Sequence, residues 1–157
     1  MISNPSGGDI ARWTESFRRH QALEAAALRR RDIPAANRHA EMAGAALRAL
    51  SEAGVEGRSA LEELMQDADP STRGRAASEV ISWDPNRAIP VLARLLHEQR
   101  APESVSVETV GTQLEAQHAL QDYFGLDLFD ARELPGRLSQ MGIDLPEKTA
   151  RRLRREV

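Results

Sequence analysis

The chain contains no cysteine among its 157 residues, so it can form neither a disulfide nor a thiolate metal site. This absence favours a reducing compartment, and we expect a cytoplasmic protein. No apolar run is long enough for a signal peptide or a membrane span. The first residues are polar and include Pro5, Gly7 and Gly8, so the sequence predicts a disordered N-terminus over residues 1–8.

Aromatic and β-branched residues are also scarce. Two Trp, one Tyr and three Phe are the only aromatic residues, while Ala, Leu, Arg and Glu dominate the middle of the chain. This composition predicts an all-α fold. The net charge is −3 and the pI is about 5.8, so there is no general electrostatic attraction to nucleic acid or to a membrane surface.

Patterns typical of catalysis or metal binding are absent from the sequence. The four histidines (His20, His39, His97 and His118) form none of the paired spacings of a zinc site. Glu115 and His118 have the spacing of a di-iron carboxylate motif, but such a site needs that motif twice. No phosphate-binding loop or nucleophile elbow occurs. We therefore predict no catalytic, cofactor-binding or metal-binding residue, and a binding protein rather than an enzyme.

The segment from Asp67 to Ala77 combines a helix end, a corner and a helix start. Asp69 is predicted to cap the new helix, and Pro70 suits its first position, where a missing N–H costs nothing. Asp67 and Arg73 are spaced so that a carboxylate ending one helix can meet a guanidinium in the next. We assign Asp67, Asp69, Pro70 and Arg73 to structure.

Apolar periodicity predicts helices along the rest of the chain. The first begins at Asp9 as the N-cap, and the part before Phe17 is predicted to be a separate turn. The second runs to about Ala53 with Gly54 after it, and a capping box from Ser59 to Glu62 predicts a third helix over residues 60–67. A fourth is predicted over residues 70–83, and a fifth begins close to Pro90, since proline is unfavourable inside a helix.

The C-terminal part is predicted to contain three more helices. The first of these ends near Phe124 and buries one stripe of side chains (Val107, Val110, Leu114, Leu120 and Phe124), after a loop over residues 99–106. A short helix burying Leu134, Leu138 and Met141 ends at Gly142. A capping-box-like start at Asp144 then precedes a basic final helix over residues 147–157, predicted to dock on the core rather than to form a separate binding arm.

Two apolar triplets repeat at an offset of 31 residues, since Leu61, Leu64 and Met65 align with Leu92, Leu95 and Leu96. With the corner at residues 67–77 and the Asp84-Pro85 corner, this pattern resembles short bacterial HEAT repeats. The wider region resembles a small bacterial family of unknown function numbered two-zero-one-nine. The resemblance implies a short right-handed α-α superhelix over residues 9–125, with residues 126–157 as a helical extension. It also implies a protein-binding role, as in immunity proteins that bind a cognate toxin, or in adaptors.

The predicted partner surface has two parts. One is a polar ridge on the fourth helix, and the other is an acidic group before it that suits a basic protein partner such as a toxin or effector. Their members are Ser71, Arg75, Ser78, Glu79 and Ser82 for the ridge, and Glu56, Glu62 and Glu63 for the acidic group. We expect Arg73→Ala to lower stability and Arg75→Ala to leave it almost unchanged.

Two other function classes stay open at this point. A HEAT-like scaffold also carries nucleic-acid-processing enzymes such as alkylated-base glycosylases, which need a basic groove with aromatic residues. A homo-oligomeric structural subunit is the other alternative, with the apolar residues Leu126, Leu128 and Phe129 as its contact.

Overall fold

A computed structural model of the chain describes residues 4–98 and 107–155, and in these ranges it contains eight α-helices and no strand. The all-α prediction is therefore confirmed. The helices are α1 (Gly7–Arg29), α2 (Ile33–Glu52), α3 (Gly54–Leu64), α4 (Pro70–Val80), α5 (Pro85–Leu95), α6 (Val107–Phe124), α7 (Leu134–Gln140) and α8 (Glu147–Arg154). They divide after Asp67 into two compact units, α1 to α3 and α4 to α8.

In the first unit, α1 is one continuous helix that begins before the predicted N-cap. The Ser6 side chain accepts a hydrogen bond from the Asp9 N–H, and the Asp9 carboxylate accepts one from the Ser6 N–H. This reciprocal capping box makes Ser6 the N-cap and places Asp9 in the first turn, so the prediction for Asp9 was wrong. The predicted break before Phe17 is also absent, and Phe17 is fully buried.

A tight turn connects α1 to α2, which packs against it. Arg31 takes the left-handed conformation with φ 59°, and the Asp32 N–H bonds the Ala27 carbonyl at 2.9 Å. This is the usual helix-ending turn with arginine where glycine is favoured. Asp32 then caps α2 by accepting from the Ala35 N–H at 3.1 Å. The alanine-rich face of α2 is buried, through Ala36, Ala43, Ala46, Leu47 and Leu50.

The third helix begins six residues earlier than predicted, because Gly54 rather than Ala60 is its first residue. Gly54 has φ 74°, which lets the chain turn sharply after α2. The predicted capping box at Ser59 and Glu62 does not form at the helix start, since both residues lie inside α3. The extra turn fits because Gly57 lies against the end of α2. A Cβ atom there would contact the Leu50 carbonyl oxygen and lie 2.7 Å from the Ala53 Cβ.

In the second unit, α4 starts as predicted and ends earlier. Asp69 accepts from the Thr72 N–H at 3.0 Å and Pro70 is the first helical residue. The helix ends at Val80 rather than at Trp83, and Ile81, just beyond it, is half-buried. Gly74, which is unfavourable for a helix, allows close packing, because a Cβ there would lie 3.0 Å from Leu95 Cδ1.

Helix α5 begins at Pro85, whereas the sequence predicted a start close to Pro90. Pro90 lies inside the helix with its ring exposed, so the helix loses a backbone hydrogen bond there without losing core contacts. The other face of α5 is buried. Its core residues are Ala88, Ile89, Leu92, Leu95 and Leu96.

Helix α6 has the predicted bounds and buries Leu120 as predicted, but the rest of its packed side differs from the prediction. Ala116, Leu120 and Gln121 are buried, whereas Val110 and Leu114 are 54% and 48% exposed. The predicted stripe through Val110 and Leu114 was wrong because Ala116 and Gln121, a small and a polar residue, occupy the packed side. The side chain of Val107 and the predicted loop over residues 99–106 lie outside the described residues.

The C-terminal helices pack within the second unit. Leu134 and Leu138 of α7 are buried, while Met141 is 39% exposed, contrary to prediction. Asp144 does not cap α8, since its carboxylate accepts from the Ser139 hydroxyl at 2.9 Å. Helix α8 buries Ala150 and Leu153, and the guanidinium of Arg152 donates to the Leu96 carbonyl at 2.8 Å. This contact joins α8 to the end of α5.

Candidate partner-binding site

The acidic residues predicted to meet a partner lie on the outer side of α3, in the first unit. Glu56 and Glu63 are exposed and Glu62 is half-buried. Seven residues separate Glu56 from Glu63, so the two carboxylates lie on the same side of the helix about 10 Å apart along its axis. Glu52, at the end of α2, adds an exposed carboxylate just before the corner. We call Glu52, Glu56, Glu62 and Glu63 with Val55 the α3 face.

An apolar side chain lies on this acidic surface. Val55 follows the corner glycine and is 84% exposed. Helical spacing puts Val55 on the same side of α3 as Ser59 and Glu62, opposite the buried Leu61 and Leu64. Val55 was not among the predicted partner residues, because the third helix was predicted to begin after it.

Electrostatically the α3 face is an area of excess negative charge. Four carboxylates act there together with one guanidinium, that of Arg58, which is also exposed. Such a field attracts cationic groups and speeds the encounter with a basic protein more than it adds to final affinity. An exposed valine among them offers the apolar contact that acids alone lack.

The polar ridge of α4 lies in the second unit and is less open than predicted. Ser78 and Ser82 are exposed, whereas Ser71 and Glu79 are half-buried. The Ser78 hydroxyl donates to the Gly74 carbonyl at 2.8 Å, and the Ser82 hydroxyl donates to the Glu79 carbonyl at 3.0 Å. These serines satisfy backbone acceptors of their own segment, so their donors are already engaged.

Arg75 is a packed residue as well as a member of the ridge. Its side chain is 18% exposed, and its Nε lies 3.8 Å from a carboxylate oxygen of Glu115 on α6. Glu115 is 57% exposed, so solvent weakens this ion pair. Because the side chain is largely buried, we expect Arg75 to contribute to stability as well, while its role in binding stays a prediction.

The four residues assigned to structure each hold a defined contact. Asp67 forms an ion pair with Arg18 of α1 at 2.6 Å, and Arg73 forms one with Glu98, beyond the end of α5, also at 2.6 Å. Arg18 and Glu98 lie far from the motif in sequence, so the motif did not identify them. Asp69 and Pro70 start α4, as described above.

A pair of histidines that no sequence motif indicates faces across the α1–α2 hairpin. The Nδ1 atoms of His20 and His39 lie 3.1 Å apart and the ring centroids 5.3 Å apart. The centroid separation exceeds the nitrogen separation by about one ring diameter, so the rings meet nearly edge to edge. One Nδ1–H donates to the other Nδ1, which requires different tautomers in the two rings. The sequence signal for this contact is the separation of 19 residues between His20 and His39, which places one histidine on each helix of a hairpin.

This arrangement favours the neutral form of His20. Partial burial lowers its pKa below the usual 6.5, and the charges of His39 and Arg19 act in the same direction. A second proton on the pair would place two N–H donors against each other. The pair therefore acts as a contact between α1 and α2 that weakens in acid.

Within residues 4–98 and 107–155, no group of three or more His, Asp or Glu side chains is arranged to hold a metal ion. In that same part of the chain no helix combines the length and apolar character needed to cross a bilayer. Comparison with protein-family models, with curated proteins and with solved structures finds no match to the chain.

Proposed function

We propose that this chain is a small protein-binding module that recognises a basic partner protein through the α3 face. The observation that carries the proposal is the exposed Val55 at the start of a helix that also exposes the carboxylates of Glu56 and Glu63, with the exposed Glu52 just before it. An apolar centre with a charged rim is the common composition of a protein interface. The rim selects and orients a cationic partner, while the apolar contact supplies affinity.

The HEAT-like resemblance of residues 9–125 supports a binding role in which neighbouring helices are joined by tight corners. In the first unit α1 and α2 form such a pair, and in the second unit α4 and α5 form another. HEAT repeats are recognition scaffolds that present side chains on rigid helices. We extend the proposal to an inhibitory or immunity role in the cytoplasm, where the partner is a toxin or effector that the bound chain inactivates.

An affinity capture from the native cell tests the proposal. The wild-type chain and the double variant Glu56→Lys/Glu63→Lys serve as parallel baits, since both positions are exposed and the substitutions reverse the charge without touching the core. A basic protein retained by the wild type and lost with the double variant is the expected result. Co-expression then tests inhibition, because an inhibitory chain suppresses the activity of the captured protein.

Three results would overturn the proposal. They are the absence of any stable protein partner, equal capture by the two baits, and tight association of the chain with nucleic acid at low salt. A partner whose activity is unchanged by the bound chain would refute the immunity role while leaving recognition intact.

A further inference from the structure

A second exposed apolar feature lies in the unit that does not contain the α3 face. The loop between α6 and α7 exposes 87% of the Phe129 side chain and 46% of the neighbouring Leu128. Large apolar side chains that stay exposed side by side on a loop are typical of interaction sites. We call residues 126–130 the Phe129 loop.

Hydrogen bonds hold the backbone of this loop at several points. Gln121 of α6 is fully buried, and its side-chain amide donates to the Asp127 carbonyl at 2.7 Å. The Asp127 carboxylate accepts from the Phe129 N–H at 2.8 Å, and the Phe129 carbonyl accepts from the Arg155 guanidinium at 2.9 Å. The Leu126 N–H also bonds the Gln121 carbonyl at 2.8 Å.

These contacts fix the loop backbone while leaving the aromatic side chain uncovered. A partner that meets Phe129 therefore does not have to order the segment that carries it. Such preorganisation reduces the entropic cost of binding, so a small apolar contact contributes more to affinity.

The surroundings of the loop carry excess negative charge. A depression of about 470 Å³ beside it is lined by Leu126, Asp127, Asp130, Arg132 and Glu133. The Arg132 guanidinium is engaged by Asp130, with nitrogen–oxygen distances of 2.9 and 2.6 Å. These hydrogen bonds lower the pKa of Asp130 to about 2, so its carboxylate is ionised at any physiological pH. Asp127 and Glu133 add two more carboxylates, and the guanidinium of Arg155 on the Phe129 carbonyl adds a second positive charge, so three carboxylates stand against two guanidiniums.

The remaining net negative charge bears on the possible occupants. A second copy docking symmetrically would bring two loops of the same net charge against each other, which costs energy. Two exposed apolar side chains also fall well short of the roughly 1,000 Å² that a stable dimer interface buries. A cationic side chain next to an apolar one meets both features of the loop, because a cation can also lie against the ring face of Phe129.

We propose that the Phe129 loop is a preformed docking point for a basic, apolar-containing segment of a partner protein. The apolar side chain of that segment contacts Phe129 and Leu128, and its Lys or Arg side chains reach Asp127 and Glu133. This site is separate from the α3 face, so it stands even if the proposed function of that face fails.

Binding of designed peptides to the full chain tests the site. The probe is a fluorescein-labelled peptide of alternating arginine and leucine. Two matched peptides, one of glutamate and leucine and one of arginine and serine, remove in turn the positive charge and the apolar content. Fluorescence anisotropy should show binding of the arginine–leucine peptide at least about tenfold tighter than that of either control. Amide shifts in NMR spectra of the labelled chain should centre on residues 127–130.

Variants of the chain separate this site from other surfaces. Phe129→Ala should weaken the arginine–leucine peptide by about tenfold or more, the loss typical of an anchoring side chain. Val110→Ala, an equally apolar change at an exposed position of α6, should have no effect. Glu56→Lys/Glu63→Lys should likewise leave the shifts at residues 127–130 in place, which separates this site from the α3 face.

Several outcomes would overturn the docking site. If Phe129→Ala binds the arginine–leucine peptide as tightly as the wild type, Phe129 is not the anchor. If the glutamate–leucine peptide binds equally well, the site does not select for positive charge. Self-association of the wild type that Phe129→Ala abolishes, measured by sedimentation, would make a second copy the occupant instead.

Discussion

At the scale of single residues, Arg31 shows how the chain ends a helix without the usual glycine. Its φ of 59° is a conformation that costs a residue with a side chain about 1–2 kcal/mol. The three consecutive arginines place positive charge at the negative end of the α1 dipole, which offsets part of that cost. The turn is therefore a compromise between backbone geometry and electrostatics.

Replacing Arg31 by glycine should stabilise the protein. We expect Arg31→Gly to raise the free energy of unfolding by about 0.5–1 kcal/mol, because glycine relieves the strain but gains freedom in the unfolded chain. Urea denaturation measures the change. Arg30→Gly is the matched control, since Arg30 has φ −85° and should lose stability. A loss of stability in Arg31→Gly would show that the side chain contributes more than the strain costs.

The two arginines of α4 should stabilise the protein in different ways, Arg73 through its partner carboxylate and Arg75 through packing. Arg73→Ala should lower the free energy of unfolding by about 1–2 kcal/mol, because a largely buried ion pair at 2.6 Å is lost. Arg75→Ala should cost about 1 kcal/mol through lost packing. Glu98→Gln should therefore be destabilising, whereas Glu115→Gln should be nearly neutral, since its pair is long and exposed. Equal costs for the two glutamine variants would contradict this assignment.

At the scale of helices, Gly57 determines how closely α3 can approach the end of α2. A Cβ atom at this position would overlap the Leu50 carbonyl and crowd Ala53. Glycine is thus needed for space and not for its φ angle. The cost of a glycine inside a helix, about 1 kcal/mol, is offset by the close approach it allows.

The variant Gly57→Ala should be strongly destabilising. We expect a loss of about 3 kcal/mol, since backbone atoms cannot move aside as a flexible side chain can. Gly44→Ala is the matched control, because a Cβ at Gly44 would meet only the flexible end of the Arg48 side chain at 3.4 Å. That control should gain up to about 1 kcal/mol in helix propensity. Thermal unfolding of both variants separates the two roles, and a neutral Gly57→Ala would show that α3 does not start as described.

The His20–His39 pair makes the packing of α1 on α2 depend on pH. Because folding lowers the pKa of His20, the unfolded chain binds more protons, and stability falls as the pH drops below about 6.5. The stability that comes from keeping His20 neutral is fully present above that pH. His39 faces His20 from α2, and Arg19 lies on the same helix as His20.

Removing the titrating group should flatten this dependence. In His20→Asn the free energy of unfolding should change less between pH 7.5 and pH 5 than in the wild type. Urea denaturation across this range gives the measurement, and equal slopes in His20→Asn and the wild type would show that His20 does not make stability depend on pH.

Much of the fold could be predicted from the composition of the helices and from the residues at the corners between them. Asp69, Pro70, Gly54 and the buried faces of α2 and α5 were predictable, because each follows from local geometry or from periodicity. Contacts between distant residues were not, so Arg18, Glu98 and the histidine pair were missed. The N-cap of a helix could not be assigned from the sequence where two nearby residues both suit that position, as with Ser6 and Asp9 at the start of α1. The buried face of α6 was partly mispredicted because Ala116 and Gln121 pack inward with Leu120, while Val110 and Leu114 stay exposed.

At the scale of the whole molecule, the surface features fall into the two units separately. The first unit carries the α3 face, and the second carries the α4 ridge and the Phe129 loop. The predicted site therefore combined residues that belong to different units. The acidic half of it, with Val55 added, is the part that combines charge with an exposed apolar contact.

The equilibrium affinity of the captured partner for three forms of the chain tests the central claim most directly. These forms are the wild type, Glu56→Lys/Glu63→Lys, and a ridge control, Ser78→Ala/Ser82→Ala, compared by calorimetric titration. Recognition through the α3 face predicts at least about a tenfold loss of affinity in the lysine variant, a loss that shrinks as salt is added, and little change in the ridge control. Equal affinity of the wild type and the lysine variant would contradict the claim.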